Sequence, residues 1–146
     1  MTEDPIACIH RVLDLVNADL RATRPDWSPI TLASWEHMLG FSVGPGGPIA
    51  RTFYVVPSAL QADLEEWEHG DPGGGTIHPE VELVDEIQAE IAEYSHWEEL
   101  EIWPVCRTHG LALRADRRDG HTIWLCKSPP GHIVAGLGEL TAAEAR

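Results

Sequence analysis

The sequence predicts an α+β protein in which helical N-terminal and central segments pack with a small β-hairpin module, and three observations carry that expectation. Ile6, Ile9, Leu13, Val16 and Leu20 recur at helical spacing. Val84, Ile87, Ile91 and Tyr94 do so again in the middle of the chain. Near the carboxyl end, Cys106 with His109 and Cys126 with His132 bracket a segment of hairpin length, sixteen residues separating His109 from Cys126.

The first helix is expected from Asp4 to about Leu20. Asp4 can cap it, and Pro5 fits the first turn, where a missing N–H costs nothing. Within it Cys8 reads as a core residue and His10 as a surface or packing residue. The run from Arg24 to Pro29 breaks the periodicity. Ser28 and Pro29 are then expected to begin a short helix toward Gly40, with Leu32, Trp35 and Leu39 facing the body of the protein. Gly44 to Pro48 lacks the Gly-Lys and Ser or Thr continuation of a phosphate-binding loop and reads as a turn. Ile49 to Val56, rich in aromatic and β-branched residues, reads as a strand that Pro57 ends.

Ser58 and Gln61 suggest a capping box for a helix with Leu60, Leu64 and Trp67 on one face, stopped by the segment from His69 to Gly75. The next helix starts near Pro79 or Glu80 and extends toward Tyr94. Glu82, Glu86 and Glu90 lie four positions apart on it, which reads as a solvated face rather than an acid–base pair because the whole helix is acidic. His69 and His78 flank too long a glycine-rich insert to preorganise a second metal site. His96 lacks the HExxH arrangement of a zinc protease.

A formal charge of −14 is unevenly placed. Between Arg51 and Arg107 there is no Lys or Arg, while fourteen acids run from Asp63 to Glu101. That field repels phosphate backbones and weighs against nucleic acid as a partner. Hydrophobic content of 43% argues against disorder, and no apolar run reaches the ~18 residues of a membrane span. Three cysteines, an odd number, and a polar, acidic start from Met1 to Ala7 favour a reducing, cytoplasmic setting.

In the C-terminal third, Gly110 permits a tight turn after His109, and Leu111 and Leu113 begin a strand. Asp116 to Gly120 supplies a polar connection in which Asp119-Gly120 is a hairpin turn signal, and Ile123 to Cys126 forms the return strand. The two prolines between Ser128 and Gly131 then turn the chain so that His132 approaches the same point. Two thiolates and two neutral imidazoles carry two negative charges and balance Zn²⁺. The competing reading keeps Cys106 and Cys126 as small core residues with both histidines on the surface; a Cys106–Cys126 disulfide is the third.

With Cys106 and His109 as a first knuckle and Cys126 opening a second, residues 101–138 resemble a zinc ribbon, in which two metal knuckles are joined by a β-hairpin. His132 departs from the common spacing, since five residues rather than two separate it from Cys126. The resemblance implies a metal more strongly than an activity, because zinc ribbons bind nucleic acid, bind proteins or only hold a fold together. The expected organisation is a mainly helical acidic region with a short strand, 1–100, and a zinc-ribbon-like region, 101–146, as parts of one cooperative fold.

Four protein ligands, Cys106, His109, Cys126 and His132, leave no open position for activating water. The expected function is therefore an acidic, zinc-stabilised protein-interaction or regulatory role, with inhibition of a partner as one form of it. The expected partner is a protein with a basic surface, and self-association is compatible with the same chemistry. A small zinc-dependent hydrolase is the alternative: His132 then gives way to water, and Glu99 or Glu101 transfers the proton. A nucleic-acid-binding accessory protein stands third, on Arg107, Arg114, Arg117, Arg118 and Lys127 around the hairpin.

Overall fold

The computed structural model describes residues 5–27, 29–35, 38–42, 52–55, 78–98 and 102–146. Helix α1 spans Pro5–Thr23. Its buried side is Cys8, Ile9, Val12, Leu13, Val16 and Leu20, while His10 is exposed. The helix runs three residues past the expected end because Thr23 folds its hydroxyl onto the Asp19 carbonyl at 2.7 Å and the Arg24 N–H still reaches the Leu20 carbonyl at 2.6 Å. Pro25 stops it. Asn17 then grips the backbone of Ile30 in both directions, donating to its carbonyl at 2.9 Å and accepting its N–H at 2.8 Å.

The short helix expected from Ser28 and Pro29 toward Gly40 does not form. Instead β1 (Thr31–Trp35) and β2 (Met38–Ser42) pair antiparallel, with Trp35 opposite Met38 across a two-residue connection, and β3 (Thr52–Val55) joins the far side of β2. The physical reason is local. Thr31, Trp35 and Phe41 prefer extended backbone, Ser34 and Gly40 weaken a helix, and three apolar residues at a 3–4 spacing over one short stretch fit either period. The strand expected over 49–56 appears at 52–55. The turn at 44–48, the capping box and helix at 58–67 and the connector at 69–75 lie outside the described residues.

Helix α2 spans Pro79–Glu98 and buries Leu83, Val84, Ile87 and Ile91, adding Leu83 to the expected stripe. Strands β4 (Arg114–Arg118), β5 (His121–Cys126) and β6 (His132–Gly136) form an antiparallel sheet with β5 in the middle. The polar connection is shorter than expected: Asp116 to Arg118 belong to β4, and Asp119-Gly120 alone makes the turn, with φ of 51° and 81°. Two successive left-handed residues are the requirement of a two-residue type I′ hairpin. Charged residues fit β4 because alternation points Ala115 inward, leaving Arg114 and Arg118 exposed.

One hydrophobic core joins α1, α2 and the β4–β6 sheet, with Trp103 and Trp124 in edge-to-face contact at 5.7 Å among its buried residues. Asp19, completely buried, organises the polar side of this core. One carboxylate oxygen accepts the Trp124 indole N–H and the Gly138 N–H, each at 2.7 Å, and the other accepts the Leu140 N–H at 2.8 Å. Burial pushes its carboxyl above the ordinary value of 3.8, against the pull of these three donors. Glu80, at the start of α2, bonds Arg11 of α1 and the Thr122 hydroxyl of β5, each at 2.5 Å, and lies 3.4 Å from Arg117 of β4.

Asp19→Ala strands three donors in the interior, each costing about 1–3 kcal/mol. A loss of about 3 kcal/mol or more is expected in urea denaturation; a loss below about 1 kcal/mol contradicts the anchoring role. Glu80 behaves differently with pH. Burial raises its pKa, but the Thr122 hydroxyl and the Arg11 and Arg117 guanidiniums outweigh this and hold it below the ordinary 4.5. A depressed folded-state pKa means stabilisation that is present above the unfolded value and lost as pH falls through the folded one. The destabilisation caused by Glu80→Gln is therefore expected to hold from about pH 7 down to the ordinary carboxyl value of 4.5 and to shrink as pH falls below it, and a difference that stays constant on acidification contradicts it.

Candidate metal centre

The first pair of donors stands on a turn closed by backbone. The Gly110 N–H reaches the Cys106 carbonyl at 2.7 Å, and the Cys106 N–H reaches the Leu111 carbonyl at 2.8 Å. Gly110 has φ of 69°, the left-handed conformation that lets the chain reverse within this distance. On its other side this segment is clasped by the last residues: Cys106 bridges Ala145, Val105 and Arg146 exchange bonds at 2.8 and 3.0 Å, and Arg107 donates to the Glu144 and Ala142 carbonyls.

The second pair comes from the β5–β6 hairpin. Cys126 ends β5, His132 begins β6, and the two are direct cross-strand partners. The five intervening residues turn through a cis Pro129–Pro130 bond and Gly131, whose N–H returns to the Ser128 carbonyl at 2.5 Å. The wide Cys126–His132 spacing thus has a structural cause. The fourth donor does not sit on a second knuckle; it faces Cys126 across a strand pair, where neighbouring side chains come within about 5.5 Å.

These elements bring Cys106 Sγ, His109, Cys126 Sγ and His132 together so that one donor atom from each lies within 4.8 Å of all the others. His109 Nδ1 is 3.6 Å from Cys106 Sγ and 3.4 Å from Cys126 Sγ, and His132 Nε2 is 3.9 Å from Cys106 Sγ. Zinc bonds of ~2.3 Å to sulfur and ~2.0–2.1 Å to nitrogen at tetrahedral angles put sulfur and nitrogen about 3.6 Å apart. The observed separations straddle that value. One imidazole nitrogen nearly equidistant from two sulfurs cannot hydrogen-bond both thiols well, whereas it fits a corner of a tetrahedron. The cluster has the capacity to hold a divalent ion.

Its burial is asymmetric. Both cysteines are buried, Cys106 to 1% and Cys126 to 0% exposure, whereas His109 and His132 are exposed and meet edge-on at 5.0 Å. The sulfurs belong to the core beside Trp103 and Trp124, and the imidazoles form its outer wall. Leu111 and Ile133, next to the two histidine segments, are 44% and 53% exposed. All three cysteines are free thiols, and Cys8 is buried in α1, apart from this cluster.

Among the described residues no other group of Cys, His, Asp and Glu is assembled in this way. His78 instead serves the start of α2, where its Nδ1 accepts the Glu80 N–H at 3.2 Å, and burial followed by the nearby Arg117 charge pushes its pKa below 6.5. His69, Glu99 and Glu101 lie outside the described residues, as do the side chains of His96 and Trp97. Sequence reasoning missed Asp19, Glu80 and Arg117 as organising residues. Asp19 left a legible trace, being an acid on the buried face of α1 three positions after Val16; Glu80 and Arg117 left none, since their pairing depends on tertiary contact.

No family model, curated protein or solved structure matches the chain.

Gly110→Ala tests the knuckle geometry. Nothing lies within 4 Å of the added Cβ, so backbone strain at positive φ is the only penalty, about 1–2 kcal/mol. Gly138→Ala is expected to cost more, because its Cβ meets Leu15 at 2.7 Å in addition to a φ of 89°. Equal effects in thermal denaturation contradict this.

Proposed function

We propose that Cys106, His109, Cys126 and His132 hold one Zn²⁺ in a closed structural site of zinc-ribbon type, and that the protein is a non-enzymatic, zinc-stabilised interaction or regulatory module. The observation that carries this reading is the convergence of two sulfurs and two imidazole nitrogens at separations that suit tetrahedral zinc. Softer thiolate and imidazole donors suit Zn²⁺ over Mg²⁺ or Ca²⁺. Four protein ligands leave no position for an activated water, which favours structural over hydrolytic zinc. Thiolate ligands require a reducing setting, and the cytoplasm supplies one.

The domain proposal follows the same contacts. Residues 1–100 and 101–146 fold as one cooperative unit, because Asp19 and Thr23 of α1 bond Trp124 and Trp103 of the metal region. The interaction role rests on two features of complementary range. The acids between Arg51 and Arg107, a stretch of sequence without Lys or Arg in which Glu80 is taken up by Arg11 and Arg117, attract a basic protein surface over distance, and exposed Leu111 and Ile133 beside the centre offer short-range packing. An inhibitory role against a basic partner belongs to the same physics.

Zinc analysis of protein purified without added metal is expected to give one ion per chain. Cys106→Ala and Cys126→Ala are expected to abolish it and to destabilise the whole cooperative fold, since a structural zinc adds free energy to the folded state. No bound metal, with folding unchanged in both variants, overturns the proposal. For the interaction role, affinity capture from the source lysate is expected to recover a stoichiometric basic protein whose retention weakens from low to moderate salt. Recovery of nucleic acid instead reverses the class of partner.

A further inference from the structure

The division of the centre into a buried sulfur half and an exposed imidazole half has a chemical consequence beyond metal holding. Each cysteine is fixed by backbone that does not depend on the ion. Cys106 sits between the turn bond to Leu111 and the C-terminal bridge to Ala145, and Cys126 ends the central strand of its sheet, packed in the core. The histidines lack such support from the core: His109 stands in an exposed turn and His132 at the exposed start of an edge strand. Loss of the ion therefore releases the imidazoles and leaves the two sulfurs neighbours, within 4.8 Å. A disulfide needs the two sulfurs to close from that separation to ~2.05 Å.

We propose that Cys106 and Cys126 form a reversible modification site, at which a hydroperoxide exchanges the zinc crosslink for a disulfide. This rests on the zinc reading above. One of the two thiolates that would hold zinc attacks the terminal peroxide oxygen, the O–O bond breaks, and the leaving alkoxide, or hydroxide where the oxidant is hydrogen peroxide, takes a proton to become an alcohol or water. The resulting sulfenic acid is attacked at sulfur by the second thiolate, the S–S bond forms, and hydroxide leaves as water after taking a second proton. Two electrons pass from the thiolates to the peroxide, and Zn²⁺, left with two imidazoles, departs. The new bond joins the 106–110 turn to the end of β5, two of the three segments that the metal would join, so that crosslink is kept while His109 and His132 are freed at the surface beside Leu111 and Ile133. Any partner that reads this outer wall then meets a different surface after oxidation. Cys8, 1% exposed within α1, stands outside the cluster and stays reduced.

The test uses the full reduced protein and measures zinc before and after graded hydrogen peroxide, with free thiols counted after unfolding in guanidinium and the products mapped by peptide mass spectrometry. One zinc per chain at the start is the premise; its absence there overturns the zinc reading and the exchange with it. Given that zinc, peroxide is expected to release one equivalent while the thiol count falls from three to one. A Cys106–Cys126 disulfide should account for the loss, and dithiothreitol with zinc should restore the starting state. Retention of zinc and all three thiols, at a dose that oxidises a zinc-loaded two-cysteine peptide, overturns the exchange alone. Zinc release with sulfinic acid, or with disulfides through Cys8 or between chains, also overturns it.

Discussion

Three short segments, the turn at 106–110, the end of β5 and the start of β6, must meet with their donor atoms inside a 4.8 Å cluster, and the C-terminal region is arranged around that requirement. Each segment is held by a different device: a left-handed glycine, a central strand, and a proline turn that places His132 opposite Cys126. No single one of these devices creates the cluster. It arises because the type I′ turn at Asp119-Gly120 pins the β4–β5 register and the C-terminal clasp pins Cys106.

The helices complete what the small C-terminal region cannot supply alone. A region of this size buries little surface by itself, and Trp103 and Trp124 extend its core into α1 and α2. Buried polar groups then fix the alignment. Asp19 satisfies one indole and two backbone donors, and Glu80 joins α1, β4 and β5 at the opposite side through Arg11, Arg117 and Thr122. The two carboxylates answer burial differently. Glu80 has guanidinium partners and remains below its ordinary pKa, while Asp19 has only neutral donors and is pushed above its own.

Much of this is legible from residues with strong local rules. The apolar stripes of α1 and α2, the Asp119-Gly120 turn and the four Cys and His positions follow from spacing and turn chemistry alone. The stretch at 31–42 is not legible, because Leu32, Trp35 and Leu39 satisfy a helical period while the actual strands depend on pairing between β1, β2 and β3. The extent of β4 is hidden for a related reason: Asp116 to Arg118 are charged, and only the alternation with buried Leu113 and Ala115 marks them as strand. The place of His132 is readable as an approach to the cluster, but its cross-strand pairing with Cys126 requires the register.

The most direct measurement of the central claim is X-ray absorption at the zinc edge of the intact, reduced protein. The expected spectrum is that of a four-coordinate ion with two sulfurs at ~2.3 Å and two nitrogens at ~2.0–2.1 Å, the nitrogens showing imidazole outer-shell scattering. A bound ion with one imidazole and a light oxygen ligand in place of the second contradicts the closed site and turns the account toward an activated water. A reduced protein that binds no zinc contradicts it altogether.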